Sequence, residues 1–543
     1  MQKIILKLVI TLNLSSFLFA SLSTPLKAGS LDNCTPWKAH FINKTNLQVG
    51  RIKISPLDIF DLNLDNESTK VHHIINKLHI KTKVTTIQSQ LLFKTGELLN
   101  IDKIKETERY LRAQTYIKDA AIIPTELCNG NQVSLNVKTR DNWTLTPDIS
   151  FGRSGGNNKF GFKVQEQNIL GHGKDLRLGY SKQSERTSTK LSYRDNHLLG
   201  SHYKLRINLL KNSDGKGYDI DLGLPFYKSD SRYSWGIKSS HLTQTTPLYE
   251  SAKVDQEINE KKQLHSLYYG WAGKHTSNLK QRFKVGWSYK QNNYKSMTQV
   301  FKPTRHIESY PWFETNYFGT NFIKKTNFNT MGKVEDITLA KNITLGIGLL
   351  LKEFGSTDNT LKLTTHYSKG FQLTQSLLSF IELKTDNYLG NGAKKGSDYQ
   401  LKGELNHFRS TGNDIRIKAI FRASDHLTPS ERIYLGGDTG MRGFPKAFQT
   451  GDKSFLLQAE KRLHFEWYPL HLVKFGAVAF SDIGSAWGGS KDPKLSANIG
   501  IGLRMIPTRA SSSKTMHLNL AIPLTQRQTV DKFQISISTA KSF

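Results

Sequence analysis

Beyond Asp141 the chain repeats one pattern: short segments of alternating apolar and polar residues, separated by polar turns that carry glycine. In YKLRINL, Tyr203, Leu205, Ile207 and Leu209 lie on one face, and Lys204, Arg206 and Asn208 on the other. Successive side chains of a strand point to opposite faces, so such a segment separates an apolar environment from a wet one. The alternation recurs in Leu176, Leu178 and Tyr180, in Tyr218, Ile220, Leu222 and Leu224, in Ile415 and Ile417, and in Ala497, Ile499, Ile501, Leu503 and Met505. Near the end, Phe533, Ile535, Ile537 and the terminal Phe543 are in phase, as a lipid-facing last strand requires. About 400 residues, at roughly 25 per strand and connection, predict a mainly β protein with an antiparallel transmembrane barrel of about sixteen strands. The longest polar stretches, Glu250 to Gln263 and Lys302 to Pro311, are expected to be outward loops.

Between Val49 and Thr139 the periods are mixed. Ile52 and Ile54 alternate as a strand would, and a polar stretch, Asp61 to Lys70, then intervenes. In IQSQLLFKTGELLN, Ile87 and Leu91 share a helical face and Gly96 stands where a helix would stop. Asn100 is placed to cap a second helix through Ile101, Ile104 and Leu111, ending near Gln114. Ile117 to Ile123 and Val133 to Val137 read as strands around a turn at Asn129, Gly130 and Asn131. The order β-α-α-β-β describes a small α+β module, too small for a large active site and suited to offering a sheet edge to another chain.

At its start the chain has Lys3 and Lys7 and then an apolar run, Leu8 to Phe19, too short to span a bilayer. This is the form of a secretory signal peptide, with cleavage open between Ala20, Ser23 and Ala28. Past Ala28 no long apolar stretch follows, which leaves a soluble fold or a barrel. The expected organisation is a signal peptide at 1–28, a linker at 29–45, the α+β module at 46–141 and the barrel at 142–543. Cys34 and Cys128 are the two cysteines. They are a candidate disulfide in an oxidising compartment or two separate thiols, and they imply neither a metal site nor redox catalysis. The net charge of +31 would suggest nucleic acid in the cytosol, but a secreted chain does not meet it. In a barrel it could hold lipopolysaccharide at the rim or draw anions into the lumen, the plain alternative being general basicity. Serines and histidines such as His73 and His79 are present, but no HExxH element accompanies them. The sequence therefore predicts no enzyme and no cofactor.

Three segments stand apart from the repeating pattern. LGGDTGMRGFP, Leu435 to Pro445, is a glycine-dense loop whose Arg442 needs a carboxylate if it is buried. SFLLQAEKRLHF places Gln458, Glu460, Arg462 and His464 on one face, opposite Phe455, Leu457, Leu463 and Phe465. FSDIGSAWG carries Asp482. Together they resemble the BamA- and TamA-like outer-membrane assembly and translocation superfamily. There an RGF/Y loop, here Arg442, Gly443 and Phe444, folds into the barrel and its arginine contacts acidic residues, here Glu460 and Asp482. NILGHGKDLRLGY is similar to that superfamily's first barrel hairpin. LLFKTGELLN with ETERYLRAQTYIKDAAI looks like a POTRA domain. Met441 replaces the more usual valine, and only one POTRA-type module fits, fewer than in the family's assembly and secretion factors. Asp482 is in phase with Val478 and Phe480, so its lumenal orientation is what the resemblance implies.

The resemblance implies a bacterial outer-membrane barrel with its N-terminal domain in the periplasm. Such a barrel assists insertion or translocation of other proteins. The POTRA-type domain would receive an unfolded client by strand addition, and a weakly paired seam or the lumen would pass it on. Outer-membrane lipids, lipopolysaccharide and a periplasmic or lipoprotein partner are the further expectations. The competing reading is a channel or receptor for small or anionic ligands, motivated by Lys204, Arg206 and Arg416.

Overall fold

The computed structural model describes residues 33–43, 45–275, 279–297, 304–390, 396–409, 412–425, 431–489, 492–511 and 514–540. The expected signal peptide and Phe543 lie outside them.

The N-terminal part is a small α+β unit made of β1 (Cys34–Pro36), β2 (Gln48–Leu57), α1 (Lys70–Leu78), α2 (Val84–Gln88), α3 (Ile101–Arg112), β3 (Ile117–Cys128) and β4 (Gln132–Asp141). Its sheet has the order β1-β3-β4-β2, with β2 parallel to β4 and the other pairs antiparallel. Val49, Ile87, Leu111, Ile117, Leu135 and Val137 form its core. Asn100 caps α3 by accepting from the Lys103 amide. The helix expected through Ile87 and Leu91 is the short α2, which ends at Gln88, and α1 ahead of it was not expected from the sequence. The polar-looking α1 turns its apolar Ile74 and Leu78 outward and buries His72 instead. Gly96, at φ +86°, does not end a helix. Its amide bonds the Val49 carbonyl and so lays the following segment against β2. Cys34 and Cys128 are joined in a disulfide that ties β1 to the end of β3.

The remainder closes into a barrel of twenty antiparallel strands, running from Leu145–Ser154 to Gln534–Ala540. The expectation of about sixteen fails because many connections are minimal. Gly155 and Gly156 make one of them, and Ser213 and Asp214 another. The second correction is related. Glu250 to Gln263 and the described residues of Lys302 to Pro311 are not loops but the ends of tall strands, Tyr233–Glu250, Lys253–His275, Lys280–Ser296 and Thr304–Phe318. They look loop-like because residues standing clear of lipid are polar on both faces.

Elsewhere the alternation follows the wall. Leu178, Ile237, Leu267, Ile501 and Leu503 are exposed on the outside. Inside, cations and carboxylates face each other across strands: Arg206 with Asp221 at 2.5 Å, Lys284 with Glu314 at 2.7 Å, and Arg416 with Glu404 at 2.6 Å. Pairing of this kind offsets the cost of removing charge from bulk water.

The small unit sits on the turns at one end of the barrel. Arg509 bonds the Ile59 carbonyl and pairs with Glu67. His72 contacts the Leu470 carbonyl at 2.8 Å, Tyr110 meets His197 at 3.0 Å, and Glu106 accepts from the Ser229 amide and hydroxyl. The turn NILGHG joins in through Thr86, which donates to the Gly171 carbonyl, and Asn168, which donates to Thr82. Burial pushes His197 down to about 4 and Lys118, near Arg509, down to about 7.

Candidate functional site

Two segments enter the lumen, one from each end. The first is the loop between strands Asn413–Ser424 and Lys453–His464, at the end away from the small unit. Its backbone reverses sharply at Gly436 and Gly440, with φ near +134° and +126°, values an L side chain rarely adopts. The reversal buries Met441 and Phe444 against Leu435, Leu456 and Ala486. Gly443 is seated so closely that a Cβ there would lie 2.6 Å from the Asn498 Cβ. Its amide donates to Asn498 Oδ1 instead.

Between these residues Arg442 reaches the wall. Its Nε and Nη2 donate to the two oxygens of Asp482 at 2.9 and 2.5 Å, and its Nη1 donates to Glu460 at 2.7 Å. Its amide also donates to Asp482, at 3.1 Å. Asp482 is completely buried, and Asn498 and Gln458 complete its shell at 3.0 and 3.1 Å. Glu460 takes two further bonds from Arg462, at 3.0 and 2.8 Å. The guanidinium lies 3.6 Å from the Phe480 ring centroid. Forked donors matched to a carboxylate fix direction as well as charge, which is what a loop needs to be held in one pose. The loop is also tethered by Lys446 to Glu185 and by Asp438 to Lys159.

The second insertion is a hairpin, Phe322–Thr326 paired with Val334–Thr338, between strands Thr304–Phe318 and Asn342–Leu350. It enters from the end that carries the small unit. Phe328 and Ile337 pack against Leu378, and Met331 at the tip is buried with Val478, Phe480, Ile506 and Ala521. The base is clamped by the small unit. Arg112 forks onto Asp336 at 3.0 and 2.9 Å, and Arg109 lies over the Phe322 ring. Loop and hairpin therefore share one ring, Phe480, which has Arg442 on its face and belongs to the Met331 cluster.

The structure thus brings Arg442, Gly443, Phe444, Glu460 and Asp482 together. It places Phe533, Ile535 and Ile537 apart from them, at the last strand. Val478 and Phe480 face the lumen in phase with Asp482 although they are apolar, because the hairpin covers them. Sequence reasoning put Gln458 on the face of Glu460 without its bond to Asp482, and missed the role of Asn498 and the hairpin. Asn498 sits near the start of its strand, opposite in phase to Ala497, Ile499 and Ile501, a signal the sequence carries. FIKKT and VEDIT alternate like any wall strand, and nothing in them marks an insertion.

Residues 168–543 match the family model described as the Omp85 superfamily domain. The chain belongs to the Omp85 superfamily. That membership assigns the barrel to the bacterial outer membrane. Among solved structures, this member is similar to BamA from Haemophilus ducreyi lacking POTRA domains 1-3, at 12% identity, covering 94% of this chain and 89% of that one with a TM-score of 0.39. It is also similar to CdiB from Acinetobacter baumannii, at 14% identity over 90% and 73% of the two chains, TM-score 0.46. CdiB from Escherichia coli matches at 11% identity over 91% and 76%, TM-score 0.49. No curated protein matches it.

Proposed function

We propose that this Omp85 member passes client polypeptides into or across the outer membrane through the junction of its first and last strands. The observation that carries the reading is the weakness of that junction. Among the described residues the two strands pair only at Ile537 and Arg153. The last strand's other ladder runs from Thr515–Ala540 to Ala521–Gln534. Strand edges left unpaired are templates for an incoming strand. Behind the junction lies a cavity of about 770 Å³ lined by Arg153, Lys159, Lys418, Arg422, Arg442 and His517.

In this reading the small unit is a POTRA-type domain in the periplasm, where it meets clients and any lipoprotein partner. Strand addition there uses β2. The β3 edge is occupied: Glu108 accepts from the Ile122 amide, Arg112 donates to the Ala120 carbonyl, Pro124 has no amide hydrogen, and β1 covers Glu126 to Cys128. On β2 only the start is covered, by the segment through Gly96 and Leu99. Among the described residues the stretch from Arg51 to Ser55, ahead of Pro56, is the edge that remains. The arginine-clamped loop and the hairpin hold the lumen closed until a client engages.

The channel reading is weaker because Arg206 and Arg416 are bound to carboxylates and the lumen holds two inserted segments. The test is a cysteine pair at Arg153 and Ile537. Oxidation in cells is expected to deplete specific outer-membrane or secreted proteins, and reduction to restore them. An unchanged proteome with the pair fully cross-linked would refute passage at this junction.

A further inference from the structure

The tall strands raise a wall well beyond any lipid band, and its outer face has an order of its own. Strand registers define rows of outward residues. Trp235, Tyr269, Val285 and Phe313 form one row, and Ile237, Leu267, Trp287 and Pro311 the next. Above them come Ser239, His265, Tyr289 and Ser309, then His241, Gln263, Gln291 and Ile307, then Thr243, Lys261, Asn293 and Arg305. The continuous apolar band ends at the second of these rows, and above it only Tyr289 and Ile307 interrupt polar residues. Lys261 and Arg305 stand three rows higher, and two residues of strand per row at a tilt of about 40° make that roughly 15 Å. An ordinary phospholipid headgroup layer is only about 5 to 7 Å deep on each side.

The cations here differ from those inside. On the same strands the inward Lys262 and Lys290 have carboxylates, Glu260 and Glu308. The outward Lys261, Lys295 and Arg305 are exposed and form no ion pair among the described residues. With Asn293, Thr243 and Asn259 they line a hollow of about 350 Å³. Glu260, in its floor, is turned inward onto Lys262 at 3.1 Å. The next outward acid on strand Lys253–His275 is Glu257, two rows beyond Lys261. Around the barrel the row of Lys261 continues through Thr243 to Lys216 and Lys211, which stand directly above the apolar Tyr218 and Leu209.

We propose that this face binds the phosphorylated sugar headgroup of the outer-leaflet glycolipid, lipopolysaccharide. Lys211 and Lys216 meet its phosphates at membrane level, and the hollow of Lys261, Lys295 and Arg305 holds anionic sugar further out. Unpaired cations beside Asn, Gln and Thr side chains fit phosphate and hydroxyl together. The height of the hollow fits a ligand that reaches past phospholipid headgroups. The inference rests on the orientation given above, with the small unit in the periplasm.

The test is titration of the purified full chain with rough lipopolysaccharide, its dephosphorylated form, phosphatidylglycerol and inorganic phosphate, read by native mass spectrometry. Replacing Lys261, Lys295 and Arg305 by Gln is expected to weaken lipopolysaccharide retention at least about tenfold, as is dephosphorylation. Lys261→Arg with Lys295→Arg is expected to retain it, which separates charge from misfolding, and heat-modifiable migration reports folding of each variant. Undiminished retention by the Gln variant, equal binding of phosphatidylglycerol, or full competition by inorganic phosphate would overturn the proposal. Labelling of Glu257→Cys in intact cells tests the orientation separately. Failure to label there overturns the orientation whatever the titration shows.

Discussion

Arg442→Ala is the most informative single change. The substitution leaves Glu460 with Arg462, so the uncompensated charge falls on Asp482. That carboxylate is fully buried and would keep only uncharged donors, from the Arg442 amide, Asn498 and Gln458. Breaking a buried pair by removing one partner costs about 3–5 kcal/mol. The loss should appear as a lower urea midpoint, followed by heat-modifiable migration, and as faster tryptic cutting at Lys446 in the released loop. Because the cost resides in Asp482, Asp482→Asn in the Arg442→Ala background should recover about 1–3 kcal/mol of it. Arg462→Ala should lower the midpoint less and leave Lys446 protected, since Glu460 keeps Arg442 and no loop contact is lost. The reasoning is refuted if Arg462→Ala is as damaging as Arg442→Ala, or if Asp482→Asn brings no recovery.

Three further outcomes are expected. Met331→Ala should remove about 2–5 kcal/mol of packing at the hairpin tip. It should also raise the open probability of the barrel in planar bilayers, and wild-type conductance would argue against a closing role. Replacing Cys34 and Cys128 by Ser should destabilise the small unit by about 2–5 kcal/mol in thermal unfolding; an unshifted transition would contradict this. Lys118 is held at about 7, first by burial and then by the charge of Arg509. The folded chain therefore binds fewer protons than the unfolded one. The stability tied to Lys118 is complete at high pH and is lost as pH falls from 10.5 towards about 7, with no further change below. Lys118→Met should flatten the urea midpoint across that window, and an unchanged slope would show that the ammonium is not desolvated.

The parts of the fold legible in the sequence are those where one residue's environment repeats. Leu176, Ile220 and Ile501 each meet lipid on one side, so the alternation shows directly. The arginine loop was legible for another reason: its RGF segment and the segments carrying Glu460 and Asp482 resemble one family's motif set, whereas the loop's composition alone would also suit an exposed turn. What stayed hidden depends on topology. The strand Phe322–Thr326 has the composition of the wall but folds under it. Helix α1 conceals its register because His72 fills its inner face, bonded to the Leu470 carbonyl from the far end of the chain. The polar ends of Tyr233–Glu250 and Lys253–His275 read as loops because lipid no longer enforces a two-residue period there.

The bond between Cys34 and Cys128 also sets a clock. Sulfur atoms join and stay joined only in an oxidising compartment. Before the bond forms, β1 is held only by its backbone pairs with Glu126 to Cys128 and by Trp37 and Phe41 against the core. Oxidation makes that pairing permanent, so the end of β3 stays covered wherever the bond has formed.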